Sequence, residues 1–202
     1  MAPAEPPSLA KWERWLDKLR LDVLTLHLYR KFWKDVVGAA EAANVPPSYF
    51  FTFFTQVYLT YQAVAIRRIC KARHGQPSFR NLLTEIRHHP ELTKNLTDTK
   101  DVVTDIQSLD AGSLGRVRKY ADEQIAHRQE APSVDIPTIE DVHEAIDQVG
   151  ALLRKYMVLV LDEDQWLETA VAGDVMAPFR MAWLPKLPER PQRRPEPFPD
   201  ED

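Results

Sequence analysis

His127 is the residue in this sequence best suited to acid–base chemistry. It lies near the end of the run KYADEQIAHR, from Lys119 to Arg128. A histidine titrates near neutral pH and can therefore accept or donate a proton without a metal. On an α-helix, His127 points about 200° away from Ile125, which lies on the apolar stripe of this segment. Two interpretations follow: an exposed histidine stabilised by the helix dipole, or a catalytic residue in a cleft or subunit interface.

Basic residues form two clusters that could bind an anion. The run IRRICKAR, residues 66–73, falls at the end of a predicted helix, where cations complement the helix dipole. The run GRVRKY, residues 115–120, falls at the start of the His127 helix, where cations oppose the dipole and an anionic ligand would explain them. Six residues are predicted to bind nucleic acid: Arg67, Arg68, Arg116, Arg118, Lys119 and Arg128.

Two Glu-x-x-His pairs are weak candidates for a metal site. They are Glu85 with His88 and Glu140 with His143. In di-iron bundles such pairs project inward, whereas Glu140 and His143 lie off the apolar seam of their helix and are predicted to face away from the core. The sequence has no Gly-rich phosphate loop, Cys-x-x-Cys or nucleophile elbow. We therefore expect neither a metal nor a cofactor.

Bulk composition fits one domain with a substantial core. The chain has 202 residues, of which 44% are hydrophobic. A net charge of −4 and a pI near 5.9 argue against a protein that coats nucleic acid generally, but they leave room for a local basic groove. A single cysteine, Cys70, and an N-terminus without the features of a secretory signal predict a cytoplasmic protein.

The helices that must position these residues are visible in the periodicity. Ser8 and Thr138 are predicted caps of the first and last long helices, whose apolar residues recur every three or four positions. Ser48 begins a third long helix, which runs to about residue 73, and Leu114–Arg128 forms the fourth long helix. Shorter helices follow Ser78 and cover residues 98–109. The sequence thus predicts an all-α bundle of about four long helices plus short ones, arranged as two antiparallel pairs.

The segment Ser48–Ile66 contains no charged residue and could be mistaken for a membrane span. However, Thr52, Gln56 and Thr60 form a polar stripe that a lipid-facing helix has little reason to carry. We therefore predict that this is the central buried helix of a soluble bundle, and we expect no membrane partner.

Composition divides the chain into three parts. Residues 8–161 form the predicted bundle, and residues 162–184 form a C-terminal extension with Trp166 and Leu167 docking on it. Residues 185–202 hold six of the chain's 16 prolines and little apolar surface. They are predicted to be a solvated, flexible tail.

Three stretches together resemble the abortive-infection U-type family of the HEPN superfamily. They are IRRICKARHGQPSFRNLLTEI, KYADEQIAHR and PTIEDVHEAIDQVGALLRKYMVLV, and the resemblance reaches from the first long helix to about Leu161. The most specific piece is Asp-x-x-Ile-Ala-His, from Asp122 to His127. The resemblance implies a helical bundle, commonly a homodimer, that takes part in phage defence.

Many members of that superfamily are metal-independent ribonucleases that use an arginine and a histidine on one helix. The resemblance implies that His127 and Asp122 are catalytic, with two copies meeting across a dimer interface. The arginine position should be Tyr120, Ala121 or Asp122, so the arginine is missing. Arg118 lies nine residues before His127, about 13.5 Å along an α-helix, and could act only from a partner subunit.

Two hypotheses remain open. In the first, the protein is a dimeric ribonuclease of a phage-defence or toxin-antitoxin-like system, with an arginine supplied from elsewhere. In the second, it is a non-catalytic helical module that binds a nucleotide, an RNA or a protein partner encoded nearby.

Overall fold

The computed structural model describes residues 7–163 except 43, 45, 47, 73, 94–98 and 127–134. Within these residues all regular structure is helical and no strand occurs, which confirms the predicted all-α bundle. The α-helices are α1 (Leu9–Ala42), α2 (Tyr49–Cys70), α3 (Phe79–His88), α4 (Thr99–Ser108), α5 (Gly112–Tyr120) and α6 (Ile139–Leu161), with a 3-10 turn at Pro90–Leu92 and a π-helix at Ala121–Ala126.

The core forms where α1, α2, α5 and α6 meet. Helix α1 packs on α6 and α2, α5 packs on α6 and α2, and α3 packs on α4. Most of the apolar seam predicted for the first helix is buried, as is most of the stripe of α6. These positions repeat every three or four residues, so one face of each helix is withdrawn from water. The fully or nearly fully buried members of the two stripes are Trp12, Leu16, Leu19, Val23, Leu26, Val142, Ile146, Val149, Leu153 and Tyr156.

The predicted caps begin their helices as expected. The Thr138 hydroxyl accepts from the Asp141 backbone N–H at 3.1 Å, and the Asp141 carboxylate accepts from the Thr138 backbone N–H at 3.0 Å. This reciprocal capping box satisfies two amides that the helix itself leaves without acceptors. Ser8 and Ser78 each accept from the backbone amide three residues later. Ser48 occupies the N-cap position of α2, but its side chain makes no capping bond.

A buried ion pair connects α1 to α3. Lys11 Nζ lies 2.6 Å from Glu85 Oε1, and Trp12 Nε1 donates to Glu85 Oε2 at 2.9 Å. The Lys11 side chain is only 6% exposed, so these contacts compensate a charge withdrawn from water. One member of the first Glu-x-x-His pair is therefore committed to holding two helices together.

The predicted helix Leu114–Arg128 differs from the observed structure. Helix α5 ends at Tyr120, and a π-helix continues from Ala121 to Ala126. The wider i→i+5 turn changes the angle between successive side chains within Ala121–Ala126, whereas the expectation for the direction of His127 lies outside the described residues. Leu114, Val117 and Ala121 are nevertheless buried, as the apolar pattern predicts.

Helix α2 is not the uniformly buried helix predicted from its apolar composition. Its C-terminal half is in the core, with Ile66, Ile69 and Cys70 at most 1% exposed. Its N-terminal half instead exposes aromatic side chains, including Phe50 and Phe53. The prediction failed because an apolar run shows that a helix avoids water without showing what covers it. In the part of the chain that the structure describes, no helix has the length and hydropathy needed to cross a bilayer.

Candidate functional site

An ion-pair cluster joins the end of α2 to the π-helix. Arg67 Nε lies 2.6 Å from Asp122 Oδ1, and Lys71 Nζ lies 2.7 Å from the same oxygen. The three side chains are 16%, 40% and 25% exposed, in the order Arg67, Lys71 and Asp122, so the cluster is partly open to solvent. The structure therefore brings a guanidinium and an ammonium to the first residue of Asp-x-x-Ile-Ala-His.

The local sequence explains this geometry. Arg67 and Lys71 are four residues apart and therefore lie on one face of the end of α2. Asp122 is the second residue of the π-helix, directly after Ala121, which is fully buried. Burial of Ala121 fixes the π-helix against the core and thereby fixes the position of Asp122. A π-helix of a single turn is often found at functional sites.

The charge of Asp122 is stabilised by its partners. Burial alone would raise the pKa of Asp122, but hydrogen bonds from Lys71 and Arg67 and their positive charges outweigh it, so its pKa is lowered. Asp122 is therefore ionised at neutral pH and cannot act as a general acid there. In this position its carboxylate pairs with two cations, Arg67 and Lys71.

His127 and Arg128 lie outside the described residues. The predicted pairing of His127 with Asp122 in one site therefore stays a prediction. The described chain ends at Ala126, the residue before His127, and resumes at residue 135.

The other described basic residues predicted to bind nucleic acid, which are Arg68, Arg116, Arg118 and Lys119, each lie near a carboxylate. Arg68 contacts Asp22 at 2.5 Å, and Lys119 lies 3.9 Å from Glu123. Such pairs reduce the local positive potential, but a side chain that is about half exposed, such as that of Arg68, can still approach a phosphate.

Arg116 and Arg118 are tied to the elements beside α5. Arg116 pairs with Asp141 of the α6 capping box. Arg118 donates to the Leu109 carbonyl and to Asp110, both at 2.5 Å, and its side chain is only 12% exposed. Arg118 therefore braces the turn between α4 and α5, which limits its reach toward a partner subunit.

A second polar cluster, between α1, α2 and α6, was not predicted. Arg30 donates to Asp147 Oδ1 at 2.6 Å and to the His143 carbonyl at 3.2 Å, and His27 Nδ1 lies 3.0 Å from Arg30 Nη2. His143 Nε2 lies 3.0 Å from Tyr58 Oη. The prediction that His143 faces away from the core was therefore wrong, because its ring is partly buried against an aromatic pair.

The aromatic pair is Trp33 and Tyr58, whose rings stack at 5.4 Å, with the His143 ring edge-on to both. Burial, followed by the charges of Lys34 and Arg30, lowers the pKa of His143 to about 4. Burial raises the pKa of Tyr58 to about 12. At neutral pH this histidine and tyrosine are both uncharged. They are suited to holding helices together rather than to exchanging protons.

One sequence signal could have revealed this cluster. The seam of the first helix continues past Leu26 with the same spacing of four and three residues, to Arg30 and then Trp33. A largely withdrawn charge such as that of Arg30 requires an acidic partner, and Asp147 on α6, itself 64% exposed, supplies one.

The possibilities for metal and thiol chemistry are also limited within the described residues. No group of three or more His, Cys, Asp or Glu side chains there is arranged to hold a metal ion. Burial raises the pKa of the Cys70 thiol to about 12, so Cys70 is not a thiolate nucleophile.

Comparison with known proteins gives no family assignment. The chain matches no protein-family model, and neither a curated protein nor a solved structure shows significant similarity to it.

Proposed function

We propose that this chain is a HEPN-like helical protein of a phage-defence system that cleaves RNA without a metal ion. His127 is the acid or base of the reaction, and Arg67 supplies the guanidinium that the local motif lacks. The observation that supports this proposal is the position of Arg67 Nε, 2.6 Å from the carboxylate of Asp122 in Asp-x-x-Ile-Ala-His.

RNA carries its own nucleophile, the 2′-hydroxyl, so cleavage needs a proton acceptor, a proton donor and a cation for the pentavalent phosphate. Arg67 uses Nε for Asp122, and its guanidinium carries further N–H donors that can contact a phosphate. Lys71 adds a second cation on the same face. Asp122 acts as the positioning residue that holds both cations close to the motif.

The active form in this proposal is a cytoplasmic homodimer with the α5 and π-helix region at or beside its interface. Two copies of His127 would then lie in one composite site. The resemblance to the superfamily supports this part of the proposal.

The test is cleavage of end-labelled transfer RNA and messenger RNA fragments by the purified full chain, with a metal chelator present. H127A and R67Q should each lower the cleavage rate about 10²- to 10⁴-fold, the usual effect of losing a positioned acid, base or charge stabiliser. R20Q is the matched control, because Arg20 makes an exposed ion pair with Asp17 and is not among the residues predicted to bind nucleic acid. Cleavage by H127A at the wild-type rate would show that His127 is not catalytic.

A second candidate function is a non-catalytic module that binds RNA, a nucleotide or a protein partner. Binding of a protein partner is the form of this function favoured by the carboxylates beside Arg68, Arg116 and Arg118, because they weaken the positive potential that contact with RNA needs. If the folded wild-type protein leaves every tested RNA intact, this second function replaces the first. Retention of the same RNAs in a filter-binding assay would then distinguish RNA binding from protein binding.

A further inference from the structure

The N-terminal half of α2 carries a second apolar face that its own bundle does not cover. Phe50, Phe53, Val57, Tyr61 and Val64 are between 41% and 66% exposed. Phe50, Val57 and Val64 repeat every seven residues, which is the spacing of a seam between two packed helices. We define these five residues as the aromatic face.

The aromatic face is separate from the side of α2 that enters the core. Ile66, which is fully buried, follows Val57 by nine residues and therefore lies about 180° around the helix from it. A helix that is apolar on two opposite sides is ordinarily covered on both. Only one of these sides is covered by the described part of this chain.

Helix α2 forms a ridge at the aromatic face, and an apolar groove lies on each side of it. Tyr29 and Phe32 of α1 approach α2, with the Tyr29 and Tyr61 ring centroids 4.8 Å apart and those of Phe32 and Phe54 6.0 Å apart. Between the two helices lies an apolar groove of about 220 Å³, which also includes Val57. A second groove follows Phe53, Val57 and Val64 on the other side of the ridge. A surface that has both a ridge and grooves beside it can pack against a copy of itself.

The size and charge of the surface fit the same partner. At roughly 200 Å² for each aromatic side chain, the exposed fractions of Phe50, Phe53, Tyr61, Tyr29 and Tyr49 offer about 600 Å², and the exposed valines bring the surface closer to the ~800 Å² that each partner buries in a standard interface. The segment Ser48–Ile66 contains no Asp, Glu, Lys or Arg. The α2 segments of two identical faces can therefore meet without repulsion between like charges.

We infer that a second copy of this chain docks on the aromatic face, so that the α1–α2 hairpins of two protomers form a four-helix interface. The surface continues along α2 to Arg67 and Lys71, so it places the Asp122 cluster beside the interface rather than at its centre. This inference rests on exposure and shape and not on ribonuclease activity.

The mass of the full chain in solution tests the inference. Light scattering and sedimentation equilibrium should give twice the 23.3 kDa chain mass at micromolar concentration. V57K should raise the dimer dissociation constant about 100-fold or more, because it buries a charge without a partner. V158K is the matched control, since Val158 is also exposed but lies on α6. A monomer at high micromolar concentration would overturn the inference.

Further variants test the dimer interface without relying on V57K alone. F53E should dissociate the dimer while retaining the helical circular dichroism of the wild type, because Phe53 is 66% exposed. A dimer that survives both V57K and F53E would show that another surface is the interface. In a mild oxidant, at least one of F53C, V57C and V64C should form a disulfide-linked dimer and V158C should not, with the buried Cys70 unreactive. The absence of a link in all three would also overturn the inference.

Truncation distinguishes a second copy of the chain from residues 164–202 as the segment that covers the aromatic face. If the full chain is monomeric and a chain ending at Glu163 dimerises, then residues 164–202 cover the aromatic face and the inference is wrong. If both chains dimerise and V57K disrupts both, the occupant is the second copy.

Discussion

The C-terminal half of α2 and its N-terminal half differ in what covers them. At the C-terminal half, Ile66 and Ile69 are buried in the bundle, and Arg67 pairs with Asp122. At the N-terminal half, Phe50 and Phe53 face outward. One continuous apolar helix therefore serves two structural purposes. One half completes the core of its own chain, and the other half is suited to an interface.

The largest expected effect comes from placing a charge where α5 meets the π-helix. Ala121 is fully buried, so A121R forces a guanidinium into the core although it would create the arginine spacing typical of HEPN ribonucleases. We expect it to lower the free energy of unfolding by about 4 kcal/mol or more. Chemical denaturation followed by circular dichroism measures the effect.

Ala151 provides the control for A121R, because it is exposed on α6. A151R should change the free energy of unfolding by less than about 0.5 kcal/mol. Equal stability of A121R and A151R would contradict the packing of the π-helix against the core.

A direct comparison of the two faces of α2 is expected to give the next largest effect. I66A removes a fully buried side chain and should cost about 2–5 kcal/mol through lost burial and a cavity. F53A removes a larger but exposed side chain and should change the stability of the monomer by about 0.5 kcal/mol or less. Denaturant titrations at low concentration, where the protein is monomeric, make this comparison. Similar losses in the two variants would mean that the aromatic face is already covered within the chain.

Much of the fold was predictable because burial follows helical periodicity. Trp12 and Leu16 on α1 and the capping box of Thr138 and Asp141 follow from residue type and spacing alone. These patterns are local: apolar spacing of three and four residues leads to burial of one helix face, and the Thr138–Asp141 pair leads to a helix start. The predicted all-α class was confirmed for the same reason.

The candidate site was less predictable because it depends on contacts between distant segments. Arg67 was predicted to bind nucleic acid and Asp122 to be catalytic, but nothing in their sequence separation of 55 residues indicates that they form an ion pair. The π-helix also depends on how Ala121 packs against the core. The aromatic face was misassigned because Phe50 and Phe53 have the same apolar character as core residues.

Removing the charge of Asp122 should have a moderate effect. D122N leaves Arg67 and Lys71 without their shared carboxylate and should cost about 1–2 kcal/mol at neutral pH, since the pair is only partly buried. Because the pKa of Asp122 is lowered by folding, this stabilisation is present above the ordinary Asp pKa and is lost as the pH falls through the folded value. D122N should lack that acid-side loss. D17N is the control, because Asp17 makes an exposed pair with Arg20; if D17N were as destabilised as D122N, the Asp122 cluster would have no special structural role.

The smallest expected effect concerns His143, which sits where α6 meets the aromatic part of α1 and α2. Its folded pKa is about 4, below the ordinary value of 6.5, because its ring is partly buried and close to Lys34 and Arg30. Between these two values the unfolded chain binds a proton that the folded chain does not. Stability is therefore full above about pH 6.5 and falls as the pH decreases toward 4. The loss between pH 7 and pH 5 should be about 1 kcal/mol after allowing for solvent screening of a partly exposed ring.

H143F keeps an aromatic ring against Trp33 and Tyr58 but cannot titrate, so its stability should vary less over this range. H88Q, at an exposed histidine of α3, should follow the wild-type profile. A wild-type profile that H143F reproduces would mean that His143 contributes nothing to the pH dependence, and that the polar cluster stabilises the junction through packing and the Arg30–Asp147 pair alone.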